Sequence, residues 1–480
     1  MAESISAWWP KVGSLVSLLM ALSASVHVVL HKRDVRSAAG WFGLVWLAPV
    51  VGPILYFLLG INRVRRRAVA LRRGAMRQLA SNLAQTAEAP ALHGLVSGHL
   101  AELSSAIHRV TERPLYRGNH VQPLWDGDSA YPAMLAAIDA AERSVALCTY
   151  IFEAHGIGRT FIDALARAQA RGVEVRVLID DVGARYGLPR PNRALRKLGV
   201  RTALFMPALP VWRAAYLNLR NHRKILVVDG KVGFTGGTNI RECNMLSHAP
   251  RHPARDLHFR LEGPVVAQLQ EVFVEDWEYT TGESLDGDAW FPELTPRGAA
   301  LARSIADGPD DDIDKFTWTL HAALACASKS VTIVTPYFLP DTALTTALST
   351  AALRGVAVNV VLPERSNLTL IQWAMTRQLE EVLGHGVRVW LTPPPFEHTK
   401  LMVVDEEWVL FGSANWDARS LRLNFELGVE CYDHELALSL LEEVHRRRLR
   451  ARELSPEELL SRPYGLRIRD GFVRLLMPYL

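Results

Sequence analysis

Three blocks of this 480-residue chain occur twice, in the same order. The run SVALCTYIFE at Ser144 returns as SVTIVTPYFLPD at Ser330. RGVEVRVLIDD at Arg171 returns as RGVAVNVVLPE at Arg354. NHRKILVVDGKVGFTGGTNI at Asn221 returns as EHTKLMVVDEEWVLFGSANW at Glu397. The matching blocks lie 186, 183 and 176 residues apart. Order kept at a nearly constant offset is the mark of a duplicated unit, so whatever fold one half adopts the other adopts too. Two such halves are expected to pack about a pseudo-twofold axis.

The blocks set the class of that fold. VEVRVLI, KILVVD, VAVNVVL and KLMVVD are short β-branched runs. Between them stand helical stretches such as RTFIDALARAQARG and DTALTTALSTAALRG, each ending in glycine. Alternating strand and helix implies a parallel or mixed sheet covered by helices, an α/β/α sandwich in each half. The expected division is a membrane anchor over 1–65, a basic helical linker over 66–114 and a first half over 115–285. An inter-half linker over 286–315 and a second half over 316–480 complete it. Glycines, Pro309 and the acids Asp310 to Asp312 favour the linker reading.

The amino-terminal region has a different character. Val12–Leu30 and Gly40–Ile61 carry no formal charge, and each is long enough to span ~30 Å of hydrocarbon as a helix. Trp8, Trp9, Trp41 and Tyr56 lie near the ends, where aromatic belts form, and Gly52 and Pro53 interrupt the second run. A cleaved signal peptide fits less well, because two tryptophans precede the apolar core and a second run follows at once. The expectation is a transmembrane hairpin. Arg63, Arg65, Arg66, Arg67, Arg72, Arg73 and Arg77 follow it, against Lys32, Arg33 and Arg36 in the loop. The larger basic cluster stays cytoplasmic, which puts the soluble body on that side of the inner membrane. It would also lie against anionic headgroups.

Net charge is only +4, too small to argue for nucleic acid. Cys148, Cys243, Cys326 and Cys431 form no C-x-x-C pair, so neither a thiolate metal site nor a disulfide framework is expected.

The chemistry sits in the third block. His222-x-Lys224-x4-Asp229 and His398-x-Lys400-x4-Asp405 are both complete. In a strand, residues i and i+2 share a face, so each histidine is expected to project with its lysine. Each motif leads into a small-residue turn and an asparagine: Gly236, Gly237 and Asn239, then Gly412, Ser413 and Asn415. Backbone can approach a phosphate closely there, and the amide can donate to it. Two imidazoles, two ammonium groups and two amides brought together suit phosphoryl transfer. Lysines neutralise the non-bridging oxygens, one histidine attacks phosphorus, and the other moves protons. No metal, nucleotide or other cofactor is called for. Each imidazole needs an acid to fix its tautomer. The candidates are Glu426, 28 residues past His398, and Asp256, 34 past His222. The two motif aspartates are either catalytic or structural.

These residues resemble the phospholipase D superfamily, whose signature is the paired His-Lys-Asp motif, and within it the bacterial cardiolipin synthases. WFGLVWLAPVVGPILYFLLGINRVRRRA is similar to that family's membrane anchor, and TPYFLPD and RDGFVRLLMPYL also look like it. The resemblance implies transfer of a phosphatidyl group between two phosphatidylglycerols, releasing glycerol. It implies catalytic roles for His222, Lys224, Asp229, His398, Lys400 and Asp405, with His222 the nucleophile and His398 the acid/base. The expected partners are a phospholipid substrate and the membrane, with no nucleic acid; oligomeric state stays open. FMPALPVWRAAYLNLRNH, just before His222, is read either as a lipid entrance or as ordinary core and loop. The terminal segment carries Phe472, Leu475, Leu476 and Met477, and docks either on the body or on the bilayer.

The rivals are a phospholipase D-type hydrolase, a synthase drawing on phosphatidylethanolamine, a nuclease and a non-enzymatic scaffold. The intact motifs disfavour the scaffold and the anchor disfavours the nuclease.

Overall fold

The structure, a computed structural model, describes residues 2–32, 35–60, 96–187, 189–207, 219–309 and 312–475. The arginines from Arg63 to Arg77, Asp310, Asp311, residues 208–218 of the expected lipid entrance, Leu476 and Met477 lie outside the described residues. The chain divides into two compact units: Met1–Arg66 with Ala208–Asn218, and Arg67–Pro207 with Leu219–Leu480.

In the first unit, one of the two expected spans is continuous. A helix runs Ala2–His31, and its stretch Lys11–His31 is long and apolar enough to cross a membrane. The second apolar run is not one helix. A helix over Val35–Leu47 stops, the chain turns at Ala48–Val50, and helix resumes over Val51–Leu55 before a π-helical turn at Tyr56–Gly60. Thirteen residues reach about 20 Å, short of the ~30 Å hydrocarbon core. The interruption thus begins at Ala48, ahead of Gly52 and Pro53. Gly52 is needed for it, because a Cβ there would stand 2.4 Å from the Leu44 carbonyl oxygen. Ala21, Ala24 and Val28 pack against Trp41, Val45 and Tyr56, while Leu15, Leu19, Val26 and Val29 face outward.

The second unit is built on one mixed sheet through both halves. The first half supplies β1 (Tyr116–Trp125), β2 (Ser144–Thr149), β3 (Glu174–Asp180), β4 (Arg201–Phe205), β5 (Arg220–Asn221), β6 (Ile225–Val228), β7 (Val232–Gly236), β8 (Ala254–Arg255) and β9 (Leu257–Glu262). The second supplies β10 (Ala300–Asp307), β11 (Ser330–Val334), β12 (Ala357–Pro363), β13 (Arg388–Thr392), β14 (Phe396–Glu397), β15 (Leu401–Val404), β16 (Trp408–Gly412), β17 (Asn424–Tyr432) and β18 (Arg452–Glu453). Reading across, the order is β4-β3-β2-β6-β7-β9-β1, then β10-β17-β16-β15-β11-β12-β13-β18. Apart from β18 the two series mirror each other about the β1–β10 junction. The run β2-β3-β4 is parallel, and its first crossover is the helix Ile157–Ala170; β11-β12-β13 repeats this with the helix Thr342–Leu353. The other main-sheet pairings within each half are antiparallel.

Two segments expected as linkers belong to this body. Residues 286–315 contain β10, which pairs with β17 over Leu301–Asp307 and with β1. Its sequence ALARSIAD hides the strand because Arg303 and Ser304 are both fully buried, so no polar/apolar alternation marks it. The Arg303 guanidinium pairs with Glu430 of β17 and donates to the Arg113 and Ser104 carbonyls. Trp408 Nε1 and Tyr432 Oη also donate to Glu430. Within 66–114, the helix Gly98–Thr111 sends Leu100, Leu103 and Ile107 into the second-half core beside Leu320 and Leu324.

Candidate active site

The geometry of the site follows from two of the two-residue strands, β5 and β14. β5 pairs in parallel with β17 of the other half, Arg220 opposite Asn424 and Asn221 opposite Phe425. β14 pairs likewise with β8, Phe396 opposite Ala254 and Glu397 opposite Arg255. One residue further on, the His222 amide donates to the Phe425 carbonyl at 2.9 Å, and the His398 amide to the Arg255 carbonyl at 2.9 Å. Each motif histidine is therefore fixed to the opposite half, immediately before an acid.

Those acids receive the imidazoles. His222 Nδ1 lies 3.0 Å from both carboxylate oxygens of Glu426, and His398 Nδ1 lies 2.7 Å from Asp256 Oδ2. Counting along the chain associates Glu426 with His398 and Asp256 with His222; the structure crosses them. Burial opposes ionisation of both acids, but the His398 and Lys400 neighbours hold Asp256 below the usual range. His222, Lys224 and the Ser413 hydroxyl do the same for Glu426. An ionised carboxylate only accepts, so the proton sits on each Nδ1 and the lone pair on each Nε2. Burial, reinforced by Lys400, pushes His398 down to about 4. Burial also lowers His222, with Glu426 opposing. Burial thus favours the neutral form of both rings in the free protein.

Both lysines are buried, and each donates Nζ to the carbonyl of its own histidine at 2.5 Å. The H-x-K stretches precede β6 and β15 rather than lying within them. Burial lowers Lys224 to about 7 and Lys400 to about 8; Glu426 opposes the shift at Lys224 and Asp256 at Lys400. Lys400 acts on His222, Lys224 acts on His398, and Lys400 also depresses Lys224, so the two motifs share one electrostatic site. An anionic phosphodiester in that site would favour the charged lysines and supply the counter-charge they lack.

The small residues after the motifs support the acids. A Cβ on Gly237 would stand 2.1 Å from Asp256 Oδ1, so only glycine leaves that carboxylate its place. At the equivalent position Ser413 Oγ donates to Glu426 at 2.5 Å, and Asn424 Nδ2 donates to it at 3.1 Å. The asparagines also serve their own loops. Asn239 Oδ1 accepts from the Ile151 amide at 3.0 Å, leaving its NH2 to donate elsewhere, and Asn415 Nδ2 donates to Ser420 Oγ at 3.2 Å.

Asp229 and Asp405 do not join the cluster. Asp229 accepts from the amides of Glu142, Arg143 and Ser144, fixing the entrance to β2. Asp405 accepts from the amides of Ser328, Lys329 and Ser330 before β11, and from His99 Nε2 at 2.8 Å. Both sit at the far end of the strand from their histidine, in positive-φ turns at +52°. Of the two roles left open for them, these contacts are of the structural kind: the motif aspartate ties its strand to the neighbouring one.

Two aromatic residues were not singled out by sequence. Tyr150 stands edge-on to His222 at 5.1 Å between centroids, and Tyr337 edge-on to His398 at 6.4 Å. They follow the first strand of each half one residue out of register, since at the offset of 186 Tyr150 matches Pro336 and Tyr337 matches Ile151, so the duplication does not mark them as a pair.

Comparison with known proteins gives the following. A family described as "Cardiolipin synthase, PLD-like domain" matches residues 134–277 and 320–448, and one described as "Phospholipase_D-nuclease N-terminal" matches 19–60. The major cardiolipin synthase ClsA of Bacillus subtilis is 30% identical over 486 aligned residues, covering 97% of this chain and 98% of that protein. Cardiolipin synthase A of Pseudomonas putida is 32% identical over 466, covering 96% of each. Among solved structures, phosphatidylserine synthase of Haemophilus influenzae aligns with a TM-score of 0.60 at 15% identity. It covers 79% of this chain and 100% of that one, a likeness of fold.

Proposed function

This chain belongs to the cardiolipin synthase family with phospholipase D-like domains, and from that premise we propose how its own residues carry out phosphatidyl transfer. The enzyme is a membrane-associated phosphatidyltransferase that makes cardiolipin from two phosphatidylglycerols. His222 Nε2 attacks the phosphorus of the first, forming a phosphohistidine as the bond to glycerol oxygen breaks. His398 delivers the proton that glycerol takes away. It then removes the proton from a glycerol hydroxyl of the second phosphatidylglycerol, whose oxygen displaces His222 and closes the new diester. One diester is exchanged for another, so no nucleotide is consumed.

The observation that carries this reading is the pair of crossed histidine–carboxylate contacts beside two buried lysines. His398 is neutral in the free protein, so its role as proton donor depends on the substrate. A phosphodiester anion beside the ring favours the second proton. Lys224 and Lys400 hold the non-bridging oxygens, and the NH2 of Asn239 is the further donor we assign to them.

We assign the protein to the inner membrane as a multi-pass anchor, the broken second run tucked against the first helix and the catalytic body cytoplasmic. The arginines that follow the second run in sequence support that orientation.

Purified protein incubated with phosphatidylglycerol in mixed micelles, with the lipids followed by mass spectrometry, tests the reaction. Cardiolipin and glycerol in equal amounts are expected. Phosphatidic acid alone would make the protein a hydrolase. Undiminished cardiolipin from His222→Ala or His398→Ala would sink the two-histidine mechanism. Protease access to a carboxy-terminal tag in sealed inverted vesicles tests the orientation.

A further inference from the structure

The helix Tyr464–Arg474 has two committed faces. Inward, Asp470 and Val473 are buried, and Arg469 stacks on Trp373 of the helix Thr369–Leu383 at 4.0 Å. Asp470 is satisfied by Arg462 at 2.5 Å and Arg469 at 2.7 Å, so this side docks firmly on the body. Outward, Tyr464, Ile468, Phe472 and the following Leu475 are 76, 56, 68 and 74% exposed. At ~100° per residue these four fall within one stripe of about 80°. Arg469 lies along one border of the stripe, and Arg467 and Arg474 along the other. Arg467 and Arg474 reach Glu380 and Glu381 of the supporting helix, which holds their guanidiniums beside the stripe with donors to spare.

We propose that this stripe is a second membrane contact, lying in the headgroup plane of an anionic bilayer and holding the active site against the lipid surface. A single helix face bordered by arginines matches an interfacial helix in composition and charge. It is too narrow for an ordinary protein interface of about 800 Å² per partner. The helix that supports the stripe also borders the site. The supporting helix begins beside the exposed Leu368 and Leu370. The adjacent Asn367 accepts from Tyr337 Oη at 2.7 Å, and Tyr337 is the ring beside His398. Exposed leucines at the start of the supporting helix therefore stand beside the wall of the catalytic centre. The inference rests on the lipid-substrate reading and adds where the lipid surface meets the protein.

The test uses the full chain in vesicles of phosphatidylglycerol and phosphatidylcholine. Phe472→Cys, in a chain whose four native cysteines are replaced, is labelled with a fluorophore and challenged with lipids brominated on their acyl chains. Leu198→Cys, on the first half, is the comparison. Quenching is expected at 472 and not at 198. The paired substitution Ile468→Glu with Phe472→Glu should lower turnover of vesicular phosphatidylglycerol about tenfold. Turnover of dispersed short-chain phosphatidylglycerol should be unchanged. Absence of quenching at 472 overturns the proposal, whether the fluorophore stays in water or is buried against a protein. Failure of the unsubstituted protein to convert phosphatidylglycerol would refute the transfer reading while the quenching result still decides this one.

Discussion

Asp256 of the first half hydrogen-bonds the Nδ1 of His398 in the second half at 2.7 Å, and the reciprocal contact runs from Glu426 back to His222. Each half thus supplies the acid that orients the other half's catalytic imidazole.

A double-mutant cycle reads this crossing directly. Asp256→Asn should lower kcat by about 10²-fold or more by weakening control of the His398 tautomer. Combined with His398→Gln it should cost little further, because the two act as a unit. Combined with the crossed partner's acid, Glu426→Gln, it should cost more than either alone. Strong coupling of Asp256 to His222 in place of His398 would contradict the geometry.

The lysines set the alkaline limb. Each carries its charge below its pKa and loses it as pH rises, so free-enzyme capture of an anionic lipid should weaken through about 7 to 8. The profile of kcat/KM reports the free enzyme and should fall there. The profile of kcat should stay level to higher pH, because the bound phosphodiester keeps the ammonium groups protonated. Coincident limbs in the two profiles would count against the lysines as phosphate partners.

Asp405→Asn should act on stability more than on chemistry. Three backbone amides and His99 lose a charged acceptor, a cost of about 2–3 kcal/mol. Thermal melting should show the loss, with turnover per folded molecule near that of the parent. Burial opposes ionisation of this carboxyl, but its backbone donors hold it below the usual range. Its contribution is therefore present above about pH 4 and fades as pH falls further.

Gly237→Ala should damage catalysis while leaving the fold intact. The added methyl would stand 2.1 Å from Asp256 Oδ1 and must push that carboxylate off His398. We expect kcat to fall with KM little changed, and circular dichroism to match the parent.

Arg303→Met probes the buried pair behind the site. Glu430 would keep Trp408 and Tyr432 as donors but lose its counter-charge, at a cost of about 3–5 kcal/mol. Chemical denaturation should show this as a lower midpoint with an unchanged slope.

The repeated blocks made most of the frame legible. β2, β3 and β6 and their counterparts β11, β12 and β15 all stand where β-branched runs predict them, and the two motifs do share one site. What the sequence could not reveal depends on contacts between halves. β5 and β14 are two residues each, too short for any periodicity, yet they decide which acid meets which histidine. β10 escaped because its central arginine is paired inside the protein rather than facing water. The second apolar run looks long enough to span, but composition alone does not reveal the turn at Ala48.

The unbroken sheet has a mechanical consequence. Strand ladders run from β4 to β18 without a gap, and β1 and β10 join at the middle. The halves cannot part like jaws to admit two bulky lipids without breaking that ladder. Lipids must then be admitted by movement of the loops around the site rather than by separation of the halves.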